Sequence, residues 1–360
     1  MSTSSAVPKT AVSIDGQRSV DDDRADRDRT LRRVLLRDVA DAAGVSLGTA
    51  SDALNGRGRV AAATRARVQA AAHSIGYRPN ALARALRVGH SRLVGLAVRP
   101  LKDHPMTLAG HPYFAPLIAG CVAAAIARRY ALVVLPGDID MAALRDLPLE
   151  AVLIADSDID DPFVDAAFAL GIPVLTDERP HDPRAQMTLD IDVDSAMAAI
   201  LDHLWACGSR RPAVLGDVAE YGYIIRMGDR YDAWCAAHAV EPMIASVPTD
   251  TPARRAAIRS LIADGYDALV GLDDADGWLM LDEAESLGLH IPDDLRIVVA
   301  AHEPRYATAR IPVTTLELHP HELGTRGVDL ILDAIEGRLA DGPLHLYEPF
   351  TLAPRASTIG

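Results

Sequence analysis

The sequence predicts a small all-α head of helix-turn-helix type, then a short linking helix, then an α/β body of two lobes, each built on a doubly wound parallel sheet. Three observations lead there. Apolar residues recur at helical spacing over residues 31–76, short apolar runs alternate with helical stretches from Leu93 onward, and charge changes sign between the two regions. At 360 residues the chain is too long for a single core.

A net charge of −14 argues by itself against a nucleic-acid partner, but its distribution reverses the argument. Residues 31–90 hold ten arginines and three aspartates, a net of +7, while residues 1–30 sum to −1, so the remainder carries −20. A basic head on an acidic body implies a polyanion partner for the head alone, which the body repels. Hydrophobic residues at 49% and charged residues at 24% are those of a soluble globular protein. No apolar run approaches the roughly 20 residues that span a bilayer, and the first residues lack a signal-peptide core. Cys121, Cys207 and Cys235 are odd in number and far apart, which fits neither a disulfide framework nor a zinc knuckle. The expectation is a cytoplasmic protein with no metal, cofactor or membrane partner.

Residues 1–30 are polar, without hydrophobic period, and are expected to form a disordered tail. Residues 31–78 are expected to form the head. Leu36, Val39, Ala40 and Ala43 share one helical face, and Gly44 supplies a left-handed stop. Ser46 is placed to cap a second helix, LGTASDALN, which Asn55-Gly56 ends. Val68, Ala71, Ala72 and Ile75 line a third helix. Residues 79–90 contain NALARALRVG, a stretch too short to be a stable helix alone. Residues 91–360 carry the body. Eight apolar runs (93–98, 131–136, 151–156, 173–177, 212–217, 243–248, 268–273 and 296–301) read as buried strands, with helices between them. Broken midway, they fit two lobes, and a ligand in such folds sits at the carboxyl ends of the strands.

Asp38-Val39-Ala40, Ala43-Gly44-Val45-Ser46, Thr49-Ala50-Ser51, Leu54-Asn55-Gly56, Thr64-Arg65, Gly76-Tyr77-Arg78-Pro79-Asn80 and Ala83-Arg84 stand in one fixed register. That register resembles the LacI/GalR family of bacterial transcription regulators over residues 35–360. The body adds His111-Pro112-Tyr113-Phe114, Gly171-Ile172-Pro173-Val174 before Asp177, Arg230 with Ala233-Trp234, and Leu287-Gly288-Leu289 before Ile291-Pro292. The resemblance implies a periplasmic-binding-protein-like effector domain behind the head. It further implies a homodimeric repressor of a palindromic, double-stranded DNA operator, controlled by a small sugar-like effector between the lobes.

By the same resemblance the second helix enters the major groove, with Leu47, Gly48 and Asp52 at base edges. Asp52 can only accept, which suits cytosine N4, or else pairs with a neighbouring arginine. Ser46, Thr49, Ser51 and Asn55 match phosphate contacts. Arg57 and Arg59 are electrostatic anchors or solvated loop charges, and Arg37 is a further groove candidate. Asn80 and Leu86 belong to the hinge, Leu86 where the family wedges a leucine between base pairs; an ordinary linker is the alternative. Leu35 and Ala61 stand where the family has capping hydroxyls.

For the effector, Asp177 and Arg230 are expected to bracket hydroxyls, unless they form a salt bridge between lobes. Tyr113 and Phe114 offer an apolar face, or Phe114 is plain core. Asp273 replaces an asparagine, and His302 stands where the acidic pair is lost. Leu318 replaces a late glutamine, and the loop from Gly137 to Leu149 is short. These departures suit a cationic or donor-rich ligand. A solute-binding protein would need an export signal and no basic head. An enzyme would need a nucleophile motif, phosphate loop or metal spacing, and none is present.

Overall fold

The computed structural model describes residues 34–78 and, from 90 to 359, all but 100–111, 137–138, 158–160, 178–186, 217–221, 249–250, 301 and 341. The tail at 1–30 and the hinge with Asn80 and Leu86 lie outside the described residues. The chain divides into two compact units, Met1–Val88 and Gly89–Gly360.

In the first unit α1 (Leu36–Ala43), α2 (Leu47–Leu54) and α3 (Ala62–Ser74) enclose Val39, Ala40, Ala43, Ala50, Ala53, Val68 and Ala72. Five of these seven are alanine, so short helices approach closely without long side chains to interdigitate. Gly44 is left-handed, with φ 62°, and Arg67 Nε donates to the Ala43 carbonyl at 3.0 Å, fastening α3 across the end of α1. Only α2 has a hydroxyl cap, with Ser46 Oγ accepting from the Thr49 N–H at 3.1 Å. Leu35 offers α1 no acceptor, although Asp38 reaches back to the Leu35 N–H at 2.8 Å, and Ala61 leaves α3 uncapped.

The second unit contains two six-stranded sheets. The first is built from β1 (Leu93–Val98), β2 (Ala131–Leu135), β3 (Ala151–Ala155), β4 (Val174–Thr176), β5 (Met187–Ile191) and β11 (Leu344–Glu348), in the order β11-β5-β4-β3-β1-β2, all parallel. The second is built from β6 (Pro212–Gly216), β7 (Ile244–Ser246), β8 (Ala268–Gly271), β9 (Arg296–Val299), β10 (Thr314–Glu317) and β12 (Thr351–Ala353), in the order β12-β10-β9-β8-β6-β7. Only β12 in this sheet runs antiparallel to its neighbour. Helices cover both faces of each sheet, which is why the central strands are unbroken apolar runs. On the first sheet these are α4 (Phe114–Ala127), α5 (Met141–Asp146), α6 (Pro162–Ala169) and α11 (Pro320–Ile335). On the second they are α7 (Val193–Ala206), α8 (Gly222–His238), α9 (Thr251–Ala263) and α10 (Asp276–Ser286).

The two-lobed, parallel architecture is the expected one, but the division is not a single break midway. The chain passes between lobes after β5, after β10 and again after β11, so α11 and β11 return to the first lobe and β12 to the second. The apolar runs missed β5, β10, β11 and β12. Thr188 and Asp190 interrupt β5, and β11 is a half-exposed edge strand, LHLYE. The run at 243–248 contracts to three residues, Ile244–Ser246.

Where α4 crosses α11 the backbones nearly touch. A Cβ on Gly120 would lie 2.0 Å from the His321 carbonyl oxygen, and one on Gly324 would lie 2.3 Å from that of Leu117. Only glycine fits either position.

The missing caps give a test. Leu35→Ser and Ala61→Thr should each stabilise the head by about 1 kcal/mol, slowing amide hydrogen exchange in α1 and α3 respectively. Unchanged or faster exchange would mean that the introduced hydroxyls do not accept from the first-turn amides of α1 and α3.

Candidate functional site

Ser46 ends the turn after Gly44-Val45 in extended conformation and starts α2, so the free amides of the helix's first turn open toward solvent. Its hydroxyl also shares a hydrogen bond with Thr49 Oγ1 at 2.8 Å. Leu47 is 54% exposed, which is unusual for a leucine and leaves an apolar side chain on the outer face of the head beside exposed Gly48. At the other end, Asn55 Nδ2 donates to the Ser51 carbonyl at 2.6 Å. Arg37, Arg57 and Arg59 are exposed, Arg37 beside Asp38 at 3.8 Å. The ten expected contacts between Arg37 and Arg59 thus divide. Ser46, Thr49, Ser51 and Asn55 are engaged in holding α2 itself, whereas Leu47, Gly48, Arg57 and Arg59 are exposed, and Arg37 is exposed beside Asp38. Asp52 is exposed, and it forms no ion pair among the described residues.

The body carries a second cluster where the strands of the first lobe end. Asp156 follows β3 with a left-handed φ of 51°, Asp177 follows β4, and Asp190 lies in β5. Both carboxylate oxygens of Asp177 accept the Asp156 N–H at 3.0 Å. Arg226, on α8 of the opposite lobe, donates to Asp190 from Nη1 at 2.6 Å and Nη2 at 3.2 Å. Tyr113 packs against the cores of both lobes. Burial pushes its phenol well above its usual range, helped by Asp156, Asp177, Tyr223 and Asp190 around it. Tyr223 donates to the Ala300 carbonyl at 3.3 Å and is raised chiefly by burial, with Asp156 and Asp274 adding to it. Burial, with Asp190 beside it, lifts Asp156 to about 6 against the pull of Arg226.

At the strand ends of the second lobe, burial lifts Asp274 to about 8, with Asp273 and Glu303 adding to it. Asp273 accepts the Ala275 N–H at 2.8 Å and donates its own N–H to Asp276 at 3.0 Å. Asp276 is buried against Arg254 and raised to about 7. His302, half-buried, is lowered by desolvation, and its backbone N–H reaches Asp274.

Asp177, Asp273 and His302 therefore follow the strand ends of β4, β8 and β9, and Tyr113 opens α4 where it packs against both lobes. Phe114 is not part of this cluster. It is 6% exposed in the first lobe's core and supports Tyr113 edge-on, with ring centroids 5.3 Å apart. Arg230 is not either: it pairs with Asp194 at 2.5 Å on an exposed surface. One turn earlier on the same helix Arg226 makes the contact between lobes, so the expectation had the right face and the wrong turn. Asp156, Asp190, Tyr223 and Asp274 were also missed. A carboxylate directly after an apolar run, as in AVLIAD, was the available signal for Asp156.

The arrangement offers carboxylates and phenols to a ligand with several donors, with one guanidinium already spent on Asp190. No group of His, Cys, Asp and Glu among the described residues is arranged to hold a metal. No helix among them is long and apolar enough to cross a membrane.

Residues 35–80 match the family of bacterial regulatory proteins described as the lacI family, and residues 201–358 match the periplasmic binding protein-like domain. The chain is 26% identical over 347 residues to the HTH-type transcriptional regulator CelR of Thermobifida fusca, covering 91% of this chain and 98% of that protein. It is 32% identical over 220 residues to the maltose regulon regulatory protein MalI of Escherichia coli strain K12, covering 58% and 60%. Among solved structures it resembles a CelR–cellobiose complex, with TM-score 0.66, 24% identity and coverage of 90% and 100%. It also resembles the lac repressor dimer bound to operator and an anti-inducer, with TM-score 0.76, 21% identity and coverage of 91% and 100%. At these identities the structures establish the fold.

Asp274 makes stability depend on pH. Folded, it keeps its proton to about pH 8; an unfolded carboxyl releases it near pH 4. Its contribution is complete below about pH 4 and is lost as pH rises toward 8, in the same direction as Asp276 and Asp156. Asp274→Asn should flatten the fall in melting temperature most strongly between about pH 6 and 8. A variant whose melting temperature still falls as steeply as the wild type's would show that Asp274 is ionised in the folded chain.

Proposed function

The chain belongs to the lacI family of bacterial regulatory proteins, and from that premise we propose how it works as a sequence-specific, DNA-binding transcriptional regulator. The observation that carries the reading is the joining, in one chain, of a basic head with an exposed, Ser46-capped helix to a two-lobed body whose strand ends converge on a polar cluster.

In this reading residues 31–78 are the DNA-binding head, 79–90 the hinge and 91–360 the effector-binding and dimerising body. A homodimer sets two heads on the half-sites of a palindromic operator. The amides at the start of α2, with Ser46, Thr49, Ser51 and Asn55, lie along the phosphate backbone, and Arg37, Arg57 and Arg59 supply positive charge. Leu47 suits a thymine methyl, and Gly48 admits close backbone approach. Asn80 and Leu86 act at the operator centre. The protein works in the cytoplasm and catalyses no reaction.

The effector is a small polar molecule bound between the lobes by Tyr113, Asp177, Asp273 and His302 together with Asp156, Tyr223 and Asp274. The names of its relatives, among them a cellobiose complex and a sucrose operon repressor, support a sugar-like ligand. The surplus of carboxylates favours one rich in hydroxyl or amino donors. Such a ligand changes the spacing of the lobes by competing for Asp190 and its partner Arg226. It governs DNA affinity through its different affinity for the two states.

Selection from a random duplex pool at physiological salt, with intact protein and with residues 91–360 alone, tests this. A palindromic site enriched by the intact chain and lost on truncation is the expected result. Equal enrichment by the truncated body would overturn the assignment of DNA binding to the head.

A further inference from the structure

The outer positions of α2 are Leu47, Gly48 and Asp52, a set without a single side-chain donor. The structure shows where the carboxylate among them goes. The helix closes with the Arg57 N–H donating to the Asp52 carbonyl at 2.9 Å across Gly56, whose φ is 68°. This six-residue closure around a left-handed glycine satisfies the last carbonyls of α2. Gly58, with φ 67°, then turns the chain a second time. Asp52 Oδ2 rests over that second turn, 3.0 Å from where a Cβ on Gly58 would stand. The carbonyl of Asp52 is thus hydrogen-bonded into the Gly56–Arg59 turn, and its side chain lies against Gly58. Any side chain at Gly58 would meet the carboxylate.

A carboxylate on a face offered to phosphates is repelled by them, whereas one folded back against a turn leaves that face to other groups. Neither Arg57 nor Arg59 closes an ion pair on Asp52 among the described residues, so both guanidiniums stay available to a polyanion. We propose that Asp52 is a positioning residue for the Arg57–Arg59 turn and not a reader of bases, and that these two arginines deliver the charged contacts that Leu47, Gly48 and Asp52 do not. The proposal rests on the reading of the head as the DNA-binding module.

Two measurements on the full chain test it. In the absence of DNA, Asp52→Asn and Asp52→Ala should shift the backbone amide resonances of Gly56 to Arg59 while those of α1 and α3 stay in place. Resonances of the turn that do not move would overturn the positioning role, and the unchanged helices show that each variant is folded. In duplex selection, both variants should enrich the same base at every position as the wild type, with binding weakened roughly fivefold on all sequences alike. Arg59→Gln combined with Asp52→Ala should lose no more than Arg59→Gln alone. A base-reading Asp52 would instead lose preference at one position, by roughly five- to hundredfold, and leave the others intact. Should the wild type enrich no sequence, the DNA-binding reading of the head fails, while the amide resonances still decide whether Asp52 holds the turn.

Discussion

The ion pair between Arg226 and Asp190 is the constraint around which the body is arranged. Each partner comes from a different lobe, and the two hydrogen bonds fix both distance and orientation between them. Asp190 is 5% exposed, so its charge is sustained there by the guanidinium. With that guanidinium engaged, Asp156 feels Asp190 as a like charge in a desolvated setting, and its carboxyl is lifted accordingly. The phenols of Tyr113 and Tyr223 stay protonated among the same carboxylates. A single pair thus links lobe spacing, proton affinity and the donor–acceptor character of the site. In the proposed reading, a ligand that takes Asp190 for itself releases Arg226, which would make binding and lobe geometry one event.

Much of the fold was legible in the sequence because local signals and global packing agreed. Gly44 and Ser46 announce the turn of the head by backbone freedom and capping, and both serve in those roles. The runs LVGLAV and AVLIA are apolar throughout because both faces of the central strands are covered. What was hidden has physical reasons. Strand β5 carries Thr188, which bonds His345 of β11, and Asp190, which meets Arg226 of the other lobe, and these polar side chains erase the apolar run. Whether Arg226 or Arg230 reaches across cannot be read from spacing, since residues four apart share a helix face. Phe114 and Tyr113 are adjacent aromatics, and only the packing shows that one is core and the other exposed to the site. The three passages between lobes depend on which sheet each strand joins, a long-range choice that periodicity does not encode.

The head and the body solve different problems with their charges. The body places most of its arginines in pairs, among them Arg128 with Asp333 and Glu336, Arg255 with Glu283, and Arg355 with Glu317. In the head, exposed Arg57 and Arg59 form no ion pair among the described residues. The first arrangement stabilises a fold; the second leaves charge to be satisfied by something outside it.

The close crossing of α4 and α11 also dictates an order of events during synthesis. The first lobe begins with β1 near residue 93, yet the helix that seals its sheet ends at Ile335, and β11 follows at 344–348. A chain leaving the ribosome from its N-terminus can finish the head once α3 has emerged. It cannot close its first lobe until nearly the whole second lobe is made. During that interval the face of α4 that will meet α11 is bare, and nascent chains held on the ribosome short of residue 320 would carry a finished head on an open, adhesive lobe.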